Sequence, residues 1–184
     1  MSRDLPRTSR TRWLELVAVL LVPLAAVGCT TGDGEPADGD LLAQVVTADI
    51  DDRSHVDGPV DYDQLPPLGG PHAPVWANCG FYPEQVVPAE FAVHSMEHGA
   101  VWIAYPEDGD VDVERLRELT TGQPDLLVAP SPDVDAVTAT AWGAQLEVDG
   151  VDDPALPAFV EAYVRGPNTP EPGAPCSGGV GEPS

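Results

Sequence analysis

All four histidines of the chain, His55, His72, His94 and His98, fall between residues 55 and 98. Two of them close the run His94-Ser-Met-Glu-His98. On a helix, residues i and i+4 share a face with Cβ atoms roughly 5–6 Å apart, close enough for both imidazoles to reach one cation. On a strand the same spacing would keep His94, Met96 and His98 on one face. His72 follows Gly-Gly-Pro, a turn able to swing it onto the pair, and Glu97 offers an oxygen three residues after His94. The expectation is a transition-metal site of His72, His94, His98 and Glu97, with His55 and Met96 as further candidates. Imidazole suits copper and zinc, and a thioether from Met96 would pull the choice towards copper. The competing reading has these histidines satisfying buried backbone groups or lining a polar loop junction.

The same run fits H-x-x-E-H, the inverted zincin pattern, in which two histidines hold zinc and the glutamate acts on its bound water. Zinc lowers the pKa of such a water to about 7, so the chemistry is coherent. Gly99 ends any helix straight after the motif, however, and a hydrolase needs a third ligand and a cleft. A binding or accessory role is therefore expected ahead of catalysis. Ser95 cannot couple to His94, since neighbours on a helix do not face each other, and no GxSxG elbow is present. Acid runs such as Asp51-Asp52 lack the glycine and terminal glutamate of a calcium loop. Trp76, Trp102 and Trp142 read as core residues.

The elements that must position these groups are legible in outline. Pro88 and Gly99 bracket a short helix over about 89–98. Ala100 to Tyr105 is an apolar, β-branched and aromatic run, a buried strand. Asp112 can cap a helix carrying Val113, Leu116 and Leu119 on one side. Asp125 to Ala129 reads as a strand, and Val137 to Val148 as a strand with a break near Gly143. Asp153-Pro154 opens a helix with Leu156, Phe159, Val160 and Tyr163 before Gly166. Residues 55–90 are dominated by turn signals, an irregular Pro/Gly-rich region pinned by Tyr62, Trp76, Phe81 and Tyr82. The order β-α-β-β-α in the second half implies a single small α+β domain, with a mixed or antiparallel sheet and helices on one face.

The pieces PPLGGPH (66–72), VWANCGFY (75–82), VHSMEHGAVWIAY (93–105), TAWG (140–143) and PEPGAPC (170–176) resemble the bacterial domain of unknown function 3105, which is seen mainly in exported and membrane-attached proteins. The resemblance runs from about His55 to Cys176. It carries His72, His94, Glu97 and His98 as matching positions, while a Leu is common in the family where Met96 stands. Being uncharacterised, the family implies no activity.

The chain of 184 residues is strongly acidic, with a formal net charge of −23. All its basic residues are arginines, and Arg3, Arg7, Arg10 and Arg12 lie at the extreme N-terminus. A surface of this sign repels phosphate backbones, so nucleic acid is not an expected partner. Residues 1–28 read as a signal peptide: an Arg-rich start, a short apolar stretch interrupted by Glu15 and Pro23, then Ala26-Val27-Gly28 before Cys29, which resembles a bacterial lipobox. Two acyl chains on Cys29 would suffice for stable anchoring to the outer face of the cell membrane. An uncleaved N-terminal anchor is the alternative, and either places the domain outside the cytoplasm. Residues 29–44 then read as the lipidated cysteine and an acidic tether, 45–176 as the globular domain, and 177–184 as a disordered tail.

Outside the cytoplasm thiols tend to pair, and a lipidated Cys29 leaves Cys79 and Cys176 to form a disulfide. The alternative, a redox or metal-binding thiol pair, lacks CxxC spacing. Function is read as an extracytoplasmic lipoprotein binding copper or zinc. The competing class is a non-catalytic envelope module touching another envelope protein or cell-wall material.

Overall fold

Alternating apolar runs and turn residues fold residues 41–184, the part described by the computed structural model, into an α+β arrangement with a six-stranded mixed sheet. The expected signal peptide, Cys29 and most of the tether lie outside the described residues. The elements in chain order are β1 (Val46–Thr47), β2 (Gly80–Phe81), α1 (Ala89–Glu97), β3 (Val101–Pro106), α2 (Val113–Thr120), β4 (Leu126–Ser131), β5 (Val137–Ala141), β6 (Ala144–Val148) and α3 (Ala155–Tyr163). Across the sheet they run β1-β6-β5-β3-β4-β2. Strands β3 and β4 are parallel, joined through α2, whereas β3–β5 and β5–β6 are antiparallel. Among the described residues no helix is long and apolar enough to cross a membrane.

The central strands are buried on both faces, which is why β3 and β4 read as continuous apolar runs rather than alternating ones. One face sends Val101, Ile103, Leu126 and Val128 against Leu116 of α2 and Leu156, Phe159 and Val160 of α3. The expected placement of helices on one face holds for these two. The opposite face presents Trp102, Ala104, Leu127 and Ala129 to Val93 and Met96 of α1. Asp112 caps α2 as its sequence position implies, accepting from the Arg115 N–H at 3.0 Å.

Two expectations are corrected here. Residues 137–148 form two antiparallel strands instead of one broken strand, because Gly143, with φ of 71°, supplies the backbone conformation that reverses the chain between Ala141 and Ala144. The tail 177–184 is ordered, not disordered. Its Val180 N–H donates to Trp76 O (2.9 Å), Asn78 N–H returns to Val180 O (2.7 Å), and Ser184 N–H reaches Phe81 O (2.9 Å). Composition signals disorder in such a segment, but main-chain pairing with residues 76–81 overrides it.

Helix α1 therefore lies between the sheet and a third layer built from the Pro/Gly-rich first half and the C-terminal segment. Ala73 N–H and Ala77 N–H donate to Glu90 O and Phe91 O on one side of it. Glu171 N–H donates to Glu97 O, and Arg165 N–H to Gly99 O, at its end. Gly99 adopts φ of 102°, and a Cβ there would lie 3.1 Å from Arg165 Cα, so glycine ends the helix directly after the histidine run. Cys79 and Cys176, with Cα atoms 5.3 Å apart, form the disulfide that fastens this layer.

Candidate metal centre

Position on α1 separates two roles within five residues. Val93 and Met96, three apart, face the sheet and are fully buried in its core. His94, Glu97 and His98 point the other way, into the third layer. Met96, a candidate ligand on sequence, is corrected to a core residue: two positions from His94 on a helix is almost the opposite side.

His72 and His55 arrive from the irregular region. They are joined by an isolated parallel bridge, in which His72 N–H donates to Ser54 O (3.0 Å) and Val56 N–H to His72 O (2.8 Å). The turn before His72 needs Gly69 and Gly70 at φ of 141° and 117°, and a Cβ on Gly69 would press on Ile50 and Trp142 at 3.1–3.2 Å. The Gly-Gly-Pro turn does swing His72 onto the helix.

The rings of His55, His72 and His94 then meet with centroids 4.8–4.9 Å apart, and His98 lies against His94 at 4.7 Å. Nitrogen and oxygen atoms of His55, His72, His94 and Glu97 all fall within 4.8 Å of one another, a group able to hold a metal ion. His98 adjoins this group through His94, its Nε2 lying 3.1 Å from His94 Nε2. Burial is nearly complete for His72, His94, Glu97 and His98, whereas the His55 side chain is 47% exposed and forms the outer wall.

Hydrogen bonding fixes what each ring offers. His72 Nδ1–H donates to Gly70 O (2.8 Å), His94 Nδ1–H to Ala73 O (2.7 Å) and His98 Nδ1–H to Pro175 O (2.8 Å). A carbonyl can only accept, so in each ring Nδ1 carries the proton and a neutral ring leaves its Nε2 lone pair free. Backbone carbonyls orienting the far nitrogen is the usual support of a metal-binding imidazole. Each of the three rings thus satisfies a buried backbone carbonyl, as the competing structural reading expects, and keeps its second nitrogen for the centre.

What the Nε2 atoms face is each other and a carboxylate. His72 Nε2 lies 2.9 Å from Glu97 Oε2, and His55 Nε2 lies 3.7 Å from the same oxygen. Electron pairs opposed at such distances repel unless a cation, either a proton or a metal ion, stands between them. Burial pushes the His94 imidazole down from 6.5 to about 4, with the Ala73 carbonyl opposing and the neighbouring histidines reinforcing the shift. That ring is therefore neutral and available at physiological pH. Metal bonds of 2.0–2.2 Å put adjacent donors about 2.9–3.5 Å apart, the range of the closest contacts here.

Sequence reasoning missed two residues. Trp76, expected in the core, packs its ring against His94 and His98 at 5.6 and 4.7 Å between centroids. Glu171 brings Oε2 to 3.7 Å from His98 Nε2. No spacing signal could flag either, since Trp76 is brought to the histidines by the pairing of Ala77 with Phe91 of α1, and Glu171 by the C-terminal segment returning to Glu97. Trp102 and Trp142 are core residues as expected.

The sequence model of one protein family, described as Protein of unknown function (DUF3105), matches residues 55–178. That span holds every histidine, Glu97, Glu171 and both disulfide cysteines. No curated protein and no solved structure matches the chain.

Proposed function

Because the chain belongs to the family of proteins of unknown function DUF3105, which lends it no activity, we propose from its own geometry that it binds a transition metal outside the cytoplasm. The observation that carries this is the three spent Nδ1 atoms: His72, His94 and His98 each give that proton to a backbone carbonyl, which turns Nε2 of His72 and His94 towards the group they form with Glu97 and Nε2 of His98 towards His94. Imidazoles with a carboxylate suit zinc(II) or copper(II), and the retreat of Met96 into the core removes the soft ligand that would favour copper(I).

Glu97 is better read as a donor than as a general base, since its Oε2 stands against His72 Nε2. That contact favours binding over the hydrolytic reading of H-x-x-E-H. A disulfide fits an oxidising location, and we extend this to a lipid anchor at Cys29 on the outer face of the membrane. Any further partner, an envelope protein or cell-wall material, would meet the metal protein there.

Adding zinc or copper to metal-free protein tests the reading. Binding only to the native state at a thousandfold excess over Kd stabilises by about 4 kcal/mol, so a rise in Tm on the order of 10 °C is expected. Replacing both His72 and His94 by Ala in one chain should abolish the rise. Equal melting of wild type and variant with metal would replace this reading with the non-catalytic envelope module.

A further inference from the structure

Among the described residues, six donor side chains surround the centre, more than the four that zinc takes in a tetrahedral site. Their shortest contacts run in two chains of the same composition, with His94 also within 4.8 Å of His55, His72 and Glu97 where the two adjoin. In one, Glu97 Oε2 lies 2.9 Å from His72 Nε2 and 3.7 Å from His55 Nε2. In the other, His98 Nε2 lies 3.1 Å from His94 Nε2 and 3.7 Å from Glu171 Oε2. We propose, resting on the metal-binding reading above, that the centre holds two divalent cations, one on His55, His72 and Glu97 and a second on His94, His98 and Glu171.

Two imidazoles and a carboxylate make a set of three, which leaves each cation a position for water or a shared ligand. Paired cations in such sites stand about 3.5–4 Å apart, a spacing compatible with rings of His72 and His94 whose centroids are 4.9 Å apart. Two carboxylates offset half the charge of two dications. Each set also has one exposed member, His55 at 47% and Glu171 at 53%, while the other four side chains are nearly buried. Each cation therefore has its own route from solvent. The backbone N–H of Glu171 is held by Glu97 O at 3.0 Å, which ties the two sets together at the end of α1.

The test is the zinc content of the full chain, purified in detergent, stripped, reloaded with zinc(II) and dialysed before elemental analysis. About two zinc ions per chain are expected for the wild type, about one for Glu171→Gln and about one for His72→Ala. Glu161→Gln, an exposed acid on α3, should stay at about two and controls for loose binding to the acidic surface. Wild type and Glu171→Gln both at one zinc would overturn the second cation while leaving a single-metal centre standing. Two zinc ions retained by Glu171→Gln would overturn the assigned ligand set. No zinc in the wild type would remove both this inference and the reading beneath it.

Discussion

His94 sits where every influence on the centre meets. Its Nδ1–H is tied to Ala73 O, its Nε2 faces His98, and the His55 ring stacks on it at 17° between planes. Its lowered proton affinity has a calculable consequence for the metal-free protein. Between pH 6.5 and about 4 the unfolded chain binds a proton on this ring that the native state refuses. Stability from this group is therefore complete above pH 6.5 and is lost as pH falls towards 4, by on the order of 3 kcal/mol. Urea midpoints measured from pH 7 to 4.5 should fall more steeply for the metal-free wild type than for His94→Gln, and parallel curves would count against the assignment. The same preference for neutrality suits the ring to cation binding, because little proton need be displaced.

Elements decide which residues the sequence could reveal. The i, i+4 spacing of His94 and His98 was legible because it survives any regular structure, and the helix bounded by Pro88 and Gly99 formed nearly where those residues imply. Assigning the thioether needed the knowledge that the run is helical, after which its side follows from angle alone. His55 was only a candidate, since its place depends on one bridge to His72 that leaves no pattern in composition. Glu171 and the ordered tail were illegible for a related reason: both arise from long-range main-chain pairing with α1 and with residues 76–81. The C-terminal segment accordingly has a testable duty. Pro175, which accepts from His98, immediately precedes Cys176. Replacing Cys176 by Ser should cost about 5 kcal/mol, from the entropy of a closed loop of this length. It should also weaken zinc binding in protein that remains folded. Calorimetry on the two forms checks both, and unchanged affinity would separate the bridge from the centre.

At the scale of the molecule, two layers do different work. Strands β3 to β6 with α2 and α3 form an ordinary apolar core on one sheet face, and the fold class follows from their patterning. The other face carries α1 and the glycine- and proline-rich cover, which together supply the donors of the centre. That division puts the centre and the proposed anchor in separate parts of the chain. Cys29→Ala should move the protein from the membrane to the soluble fraction, followed by fractionation and immunoblotting, while its zinc content stays as in wild type. Retention in the membrane would point to the uncleaved N-terminal anchor instead.

The bridge between residues 54–56 and 72 also dictates an order of events. The donors come from four separated stretches of chain, and one of them sits in the last to be synthesised. On the proposed export route, a polypeptide still threading through a translocation pore has no such constellation and nothing to grip a cation with. On the proposed reading, loading is then a late step of maturation, drawing on whatever ions the destination compartment supplies rather than on a cargo carried from the site of synthesis.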